Sequence, residues 1–192
     1  MRYGLTVHAA PEAEPLATAE AKKHCNIDFS EDDTYIDTLI KAARIHCEMY
    51  LRRALVNTTF DLTLDCFPCV IQPPRSPLVS VTSITYLDTN GTSTVLATSE
   101  YSVDTKREPG RIYPAYGKAW PSVQSIENAI TVRFVAGYGA TAASVPQTIR
   151  HAMLLLVGHW YENRESVVVG TITAELPFAV EALLSGERLI EA

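Results

Sequence analysis

The chain has 192 residues, 47% of them hydrophobic and 20% charged, with a formal net charge of -6. That composition supports a real core and excludes bulk disorder, and the acidic balance argues against a surface built to grip a phosphate backbone. No stretch approaches the roughly 18–20 apolar residues of a membrane span, and the start Met1-Arg2-Tyr3-Gly4-Leu5 lacks the pattern of a secretory signal. The expectation is therefore a chain folding in a reducing cytoplasm, where Cys25, Cys47, Cys66 and Cys69 remain thiols.

Residues 1–15 read as an extended N-terminal arm, because Pro11 and Pro15 sit among small residues without a helical or strand period. Thr18 is placed to cap a short helix that ends near Cys25. Ser30 is placed to cap a second helix, with Glu31, Asp32 and Asp33 in its first turn, where the positive end of the dipole favours acids. Behind them Ile36, Leu39, Ile40, Ala43, Cys47, Tyr50 and Leu51 form one apolar stripe on a long helix.

At Asn57 the period changes to two. Phe60, Leu62 and Leu64 alternate with Asp61, Thr63 and Asp65, which predicts a strand. After Pro73-Pro74 a second strand is predicted around Leu78–Leu87, with Asp88-Thr89-Asn90-Gly91 as a hairpin turn and Thr94-Val95-Leu96 as the return strand. Tyr101–Asp104 and Arg111–Tyr113 read as a further short pair, and Ile130–Val135 as the last strand. Short strands at close spacing argue for a small antiparallel sheet or barrel.

Past Gly137-Tyr138-Gly139, Pro146 suits the first turn of a third helix. Its stripe is Ile149, Ala152, Met153, Leu156 and Trp160. Leu154, Leu155 and Val157 widen the apolar surface, to be covered either by the chain's own core or by a neighbouring subunit. Val167-Val168-Val169-Gly170 leads to a last helix beginning at Leu176-Pro177, containing Phe178, Val180, Leu183 and Leu184 and closed by Gly186.

The fold class is thus α+β: a bundle of about four helices carrying an inserted small antiparallel β module. The divisions are a 1–15 arm, a helical domain from 16–56 and 137–186, a β module at 57–136 and a 187–192 tail.

Chemistry-bearing residues do not cluster. Cys66-Phe67-Pro68-Cys69 is the sharpest candidate, but it follows a strand rather than opening a helix, and no second C-x-x-C completes a zinc site. His151 and His159 are about two turns apart on one helix, too far for a shared metal. Glu162 is within reach of His159, but a packing or capping role is the stronger reading of it. No nucleophile elbow and no phosphate-binding loop is present. The acidic run at residues 31–33 is explained by the helix N-terminus alone. No catalytic residue, metal or cofactor is assigned.

The chain resembles the phage head-tail connector family, in its branch with a β insertion. The resemblance rests on Pro15-Leu16 with Ala19-Glu20-Ala21-Lys22, the helix Ile36 to Leu51 ending in Arg53-Ala54-Leu55, and Leu64-Asp65-Cys66-Phe67-Pro68. It continues through Pro77 to Ile84, Pro109-Gly110-Arg111, Trp120-Pro121, Ala136 to Gly139 and Val145-Pro146, and ends in the block Gly158 to Glu165. What it implies is a structural adaptor in the virion, made in the host cytoplasm, with no enzymatic activity. Such adaptors form a ring, commonly of twelve copies, below the portal protein. The ring extends the DNA channel without binding DNA specifically and receives a stopper or tail-completion protein. On this analogy Leu154, Leu155, Val157, Arg188, Leu189 and Ile190 are candidate interface residues. The rival readings are another neck ring protein, a stopper or tail terminator, and a small metal-binding protein using Cys66 and Cys69.

Overall fold

The computed structural model describes residues 3–164 and 176–189. Val167 to Gly170, the side chain of Phe178 and Ile190 lie outside the described residues. The chain divides into two compact units, one gathering the residues up to Glu12 with Asn57–Tyr138, the other Ala13–Val56 with the residues from Gly139 to Ile190.

The first unit is an antiparallel sheet. Its strands are β1 (Tyr3–Ala9), β2 (Thr58–Leu64), β3 (Leu78–Leu87), β4 (Ser93–Val95) and β7 (Ile130–Ala136), in the order β1-β2-β7-β3-β4. Strands β5 (Tyr101–Asp104) and β6 (Arg111–Pro114) make a separate pair. The alternation predicted for β2 is present: Phe60, Leu62 and Leu64 are buried while Asp61 and Thr63 are half-exposed. Phe60 stacks on Phe134 across the β2–β7 pair, with ring centres 5.5 Å apart. On the opposite face Arg133 donates twice to Asp61, at 2.8 and 2.9 Å. The predicted hairpin joins β3 to β4. Its turn is closed by Asp88, whose carboxylate accepts from the backbone amides of Asn90 and Thr92, with Gly91 supplying a φ of 80°.

The arm expectation is corrected for residues 3–9. They form β1, paired to β2 from Tyr3↔Leu64 to Ala9↔Thr59, so the sheet is completed by the N-terminus and is not purely an insertion. Tyr3, Leu5 and Val7 do alternate with Gly4, Thr6 and His8, but the pairing partner lies more than fifty residues away and no local signal announces it.

The second unit is helical: α1 (Thr18–Cys25), α2 (Asp33–Leu51), α3 (Gln147–Glu162) and α4 (Leu176–Ser185). Helix α2 packs against the other three, and α3 also meets α1 and α4. The predicted α2 stripe is the core face, with Ile36, Leu39, Ile40, Ala43, Cys47 and Leu51 buried; Tyr50 is half-exposed. Ile149, Ala152, Met153 and Leu156 face them from α3, and Val180 and Leu184 from α4. Both expected caps move. Thr18 is the first helical residue and donates to Asp37, leaving Ala17 at the cap position. Asp32 rather than Ser30 stands before α2, and its carboxylate makes no capping bond.

Candidate assembly surfaces

Helix α2 presents a second stripe opposite its core face. Thr38, Ala42, Ile45 and Met49 recur at spacings of four, three and four and are all exposed, Ile45 by 50% and Met49 by 68%. At 100° per residue they stand on the side away from Ile36, Ala43 and Cys47. None carries a charge. The row is partly apolar and lies on the outer face of the longest described helix, with the exposed Lys41 beside it.

The structure separates the predicted interface residues. Val157 is fully buried and Leu154 is 8% exposed, so both pack inside the helical unit, whereas Leu155 is half-exposed. Leu189 is buried, and its amide donates to the carbonyl of Leu51 at 3.0 Å. Arg53, buried at the end of α2, donates to the carbonyl of Glu187 at 2.6 Å, and the Arg188 guanidinium lies over the Tyr50 ring at 5.2 Å. The segment after α4 is therefore fastened along the C-terminal end of α2. Ile190 is outside the described residues.

A polar latch joins the two ends of the helical unit's sequence. Tyr161 donates to Asp32 at 2.5 Å and Arg164 at 2.9 Å, and the Arg164 guanidinium stacks over Tyr35 and Tyr161 at 4.9 and 5.1 Å. The hydrogen bond from Tyr161, with those and the charge of Arg164, holds the Asp32 carboxyl below the usual carboxylate range. Asp33 is bound by Lys22 at 2.7 Å. The acidic run thus has more to do than meet a helix dipole: two of its members tie α2 to α3 and α1. A second buried-edge tie runs from Arg150 on α3 to Glu20 on α1 at 2.6 Å.

Cys66 and Cys69 are exposed thiols beside Phe67, whose ring stacks on Trp120 at 4.7 Å. Among the described residues no group of three or more His, Cys, Asp or Glu side chains is placed to hold a metal. His159 lies 3.3 Å from the Asn163 amide, which also donates to the His159 carbonyl at 3.0 Å and closes α3. Among the described residues no helix is long and apolar enough to cross a membrane.

Residues 18–107 match the family described as phage gp6-like head-tail connector protein. Over that segment the chain is similar to phage head-tail connector proteins. The chain is similar over 98% of its length to a chain from the neck of an empty gene transfer agent (GTA) particle computed with C6 symmetry. The TM-score is 0.82, at 23% identity and 97% coverage of that chain. A chain from the virion of a native gene transfer agent particle gives 0.81 at 24% identity, covering 98% of this chain and 96% of that one. A chain from the neck of a native GTA particle computed with C12 symmetry gives 0.79 at 25% identity, covering 98% and 97%. No curated protein sequence matches the chain.

Proposed function

We propose that this chain is the adaptor of a tailed phage or phage-like particle, assembling as a ring below the portal. The ring extends the DNA channel and offers its far side to a stopper or tail-completion protein. The observation that carries this reading is the end-to-end likeness to a chain of a neck computed with C12 symmetry. Twelve copies is the proposed ring size; the similar necks are computed with C12 and with C6 symmetry.

Ring closure by one kind of subunit needs a heterologous contact, one face meeting a different face of the next copy. The outer stripe of α2, with Ile45 and Met49, is one such face. Leu155 and Arg188 are candidates for surfaces that meet the portal or the next copy, and Ile190, outside the described residues, is a further candidate. Many moderate contacts around a ring reinforce one another through effective concentration. The net charge of -6 supports a channel part past which DNA slides without being gripped. The place of the ring in the virion is the head-tail interface, with synthesis in the host cytoplasm.

The test is co-sedimentation of the purified chain with portal rings of the same particle. The chain is expected to travel with the portal at a fixed ratio of one copy per portal subunit. A chain that sediments as a monomer beside well-formed portal counts against the reading.

A further inference from the structure

Among the described residues the sheet has two edges without a strand partner; β4 is short and β1 carries a bulge, but neither edge is guarded by a charged side chain. Strand β1 forms one edge and β4, with the unpaired half of β3, forms the other. Edge strands are usually blunted by charged side chains, because their unpaired N–H and C=O groups template pairing with other chains. Here Tyr3–Ala9, Leu78–Leu87 and Ser93–Val95 contain no Asp, Glu, Lys or Arg. The sheet's charges stand instead on its central strands, as the Asp61–Arg133 pair, to which His8 adds a 3.4 Å contact.

The side chains of β1 repeat the message. Cross-strand rows run Val7–Phe60–Phe134 and Leu5–Leu62–Val132, then Tyr3–Leu64–Ile130. In each row the β2 and β7 members are buried, at 7% exposure or less. The β1 members end the rows uncovered, Tyr3 at 54% and Val7 at 59% exposure, with Leu5 half-exposed. The apolar face of the sheet therefore runs past the part that this copy covers.

The geometry points to strand addition between copies: β1 of one subunit pairs with the β4 edge of the next, so that the sheets join around the ring. This rests on the ring reading above and names the contact within it. An unpaired strand edge is satisfied by extended backbone, which the other edge of a second copy supplies. The two edges differ, so the contact is head-to-tail, the kind that closes a ring. Neither carries a charge that would repel the other. In a continued sheet, Val7 and Thr94 fall on the same face, since Val7 shares the row of Phe134 and Thr94 pairs with Tyr86, the neighbour of Ile130.

Charge placement tests it. Val7→Lys and Thr94→Glu are made singly and together in the full chain, and rings on portal are counted by electron microscopy, with melting temperature measured in parallel. Each single variant is expected to melt like the unmodified chain and to lose ring yield by about tenfold, because an unpaired charge is trapped at the joined edge. The double variant, which puts opposite charges on the two joined edges, is expected to recover. If the singles form rings as well as the unmodified chain, or the double fails to recover, strand addition is overturned while the adaptor reading stands. If the unmodified chain forms no ring on portal, the adaptor reading falls and this contact with it.

Discussion

Met49 and Met153 are the same side chain in opposite settings, and truncating each should separate assembly from folding. Met153 on α3 has no exposed surface, while Met49 on the outer face of α2 is 68% exposed. Met153→Ala removes packed atoms and leaves a cavity, at a cost of about 2–5 kcal/mol in fold stability. Met49→Ala removes atoms that already face water and installs the best helix former, so fold stability should change by no more than about 0.5 kcal/mol. Full burial of a methionine is worth about 1.5–3 kcal/mol, and roughly two-thirds of that, about 1–2 kcal/mol, is still ungained at Met49 in the single chain. If the next copy covers it, each subunit contact weakens by roughly 5–30-fold. Urea unfolding measures the first quantity, and the concentration needed to fill portal rings, followed by native mass spectrometry, measures the second. The reasoning is refuted if Met49→Ala fills rings at the unmodified concentration, or if it destabilises the fold as much as Met153→Ala does.

Phe134→Ala, at a fully buried site stacked on Phe60, should cost about 3–5 kcal/mol, and a double-mutant cycle with Phe60→Ala should show coupling of about 0.5–1.5 kcal/mol in chemical denaturation. The latch makes a pH prediction. Because the folded Asp32 carboxyl lies below its unfolded value, its contribution is fully present above about pH 4 and is lost as pH falls through the folded pKa. Asp32→Asn should therefore lower stability at neutral pH and flatten the acid limb of a stability–pH profile; an unchanged profile would remove the latch from the account. Burial, with Glu48 adding to it, pushes the Cys47 thiol up to about 12, whereas Cys66 and Cys69 are exposed. Iodoacetamide on the native protein at pH 8 should thus mark Cys66 and Cys69 and spare Cys47, as read by peptide mass spectrometry; fast labelling of Cys47 would show that the α2 core face opens.

What could be read from the sequence follows the range of the interactions involved. The core stripe of α2 and the alternation of β2 are set by local period and burial, and Ile36 to Leu51 and Phe60 to Leu64 carry them plainly. The β3–β4 hairpin is announced by its own turn residues. Strand β1 is not legible locally, because its warrant is a partner in β2, far along the chain, and the prolines after it point to an arm. The acidic run is only half legible locally, since Tyr161 and Arg164 reach Asp32 across some 130 residues. Among the proposed contact residues, Leu154 and Val157 could not be told from Leu155 by apolarity; only the packing of α3 sorts inward from outward. The face with Ile45 and Met49 is legible as a spacing but gains meaning only once the opposite face is seen to be filled.

The most direct test of the adaptor account is cryo-electron microscopy of the chain mixed with its own portal. The account predicts a closed ring on the narrow end of the portal, around an open channel, with the outer face of α2 covered by the adjoining copy. Well-formed portal with bare ends, or density for this chain elsewhere on the particle, would contradict it.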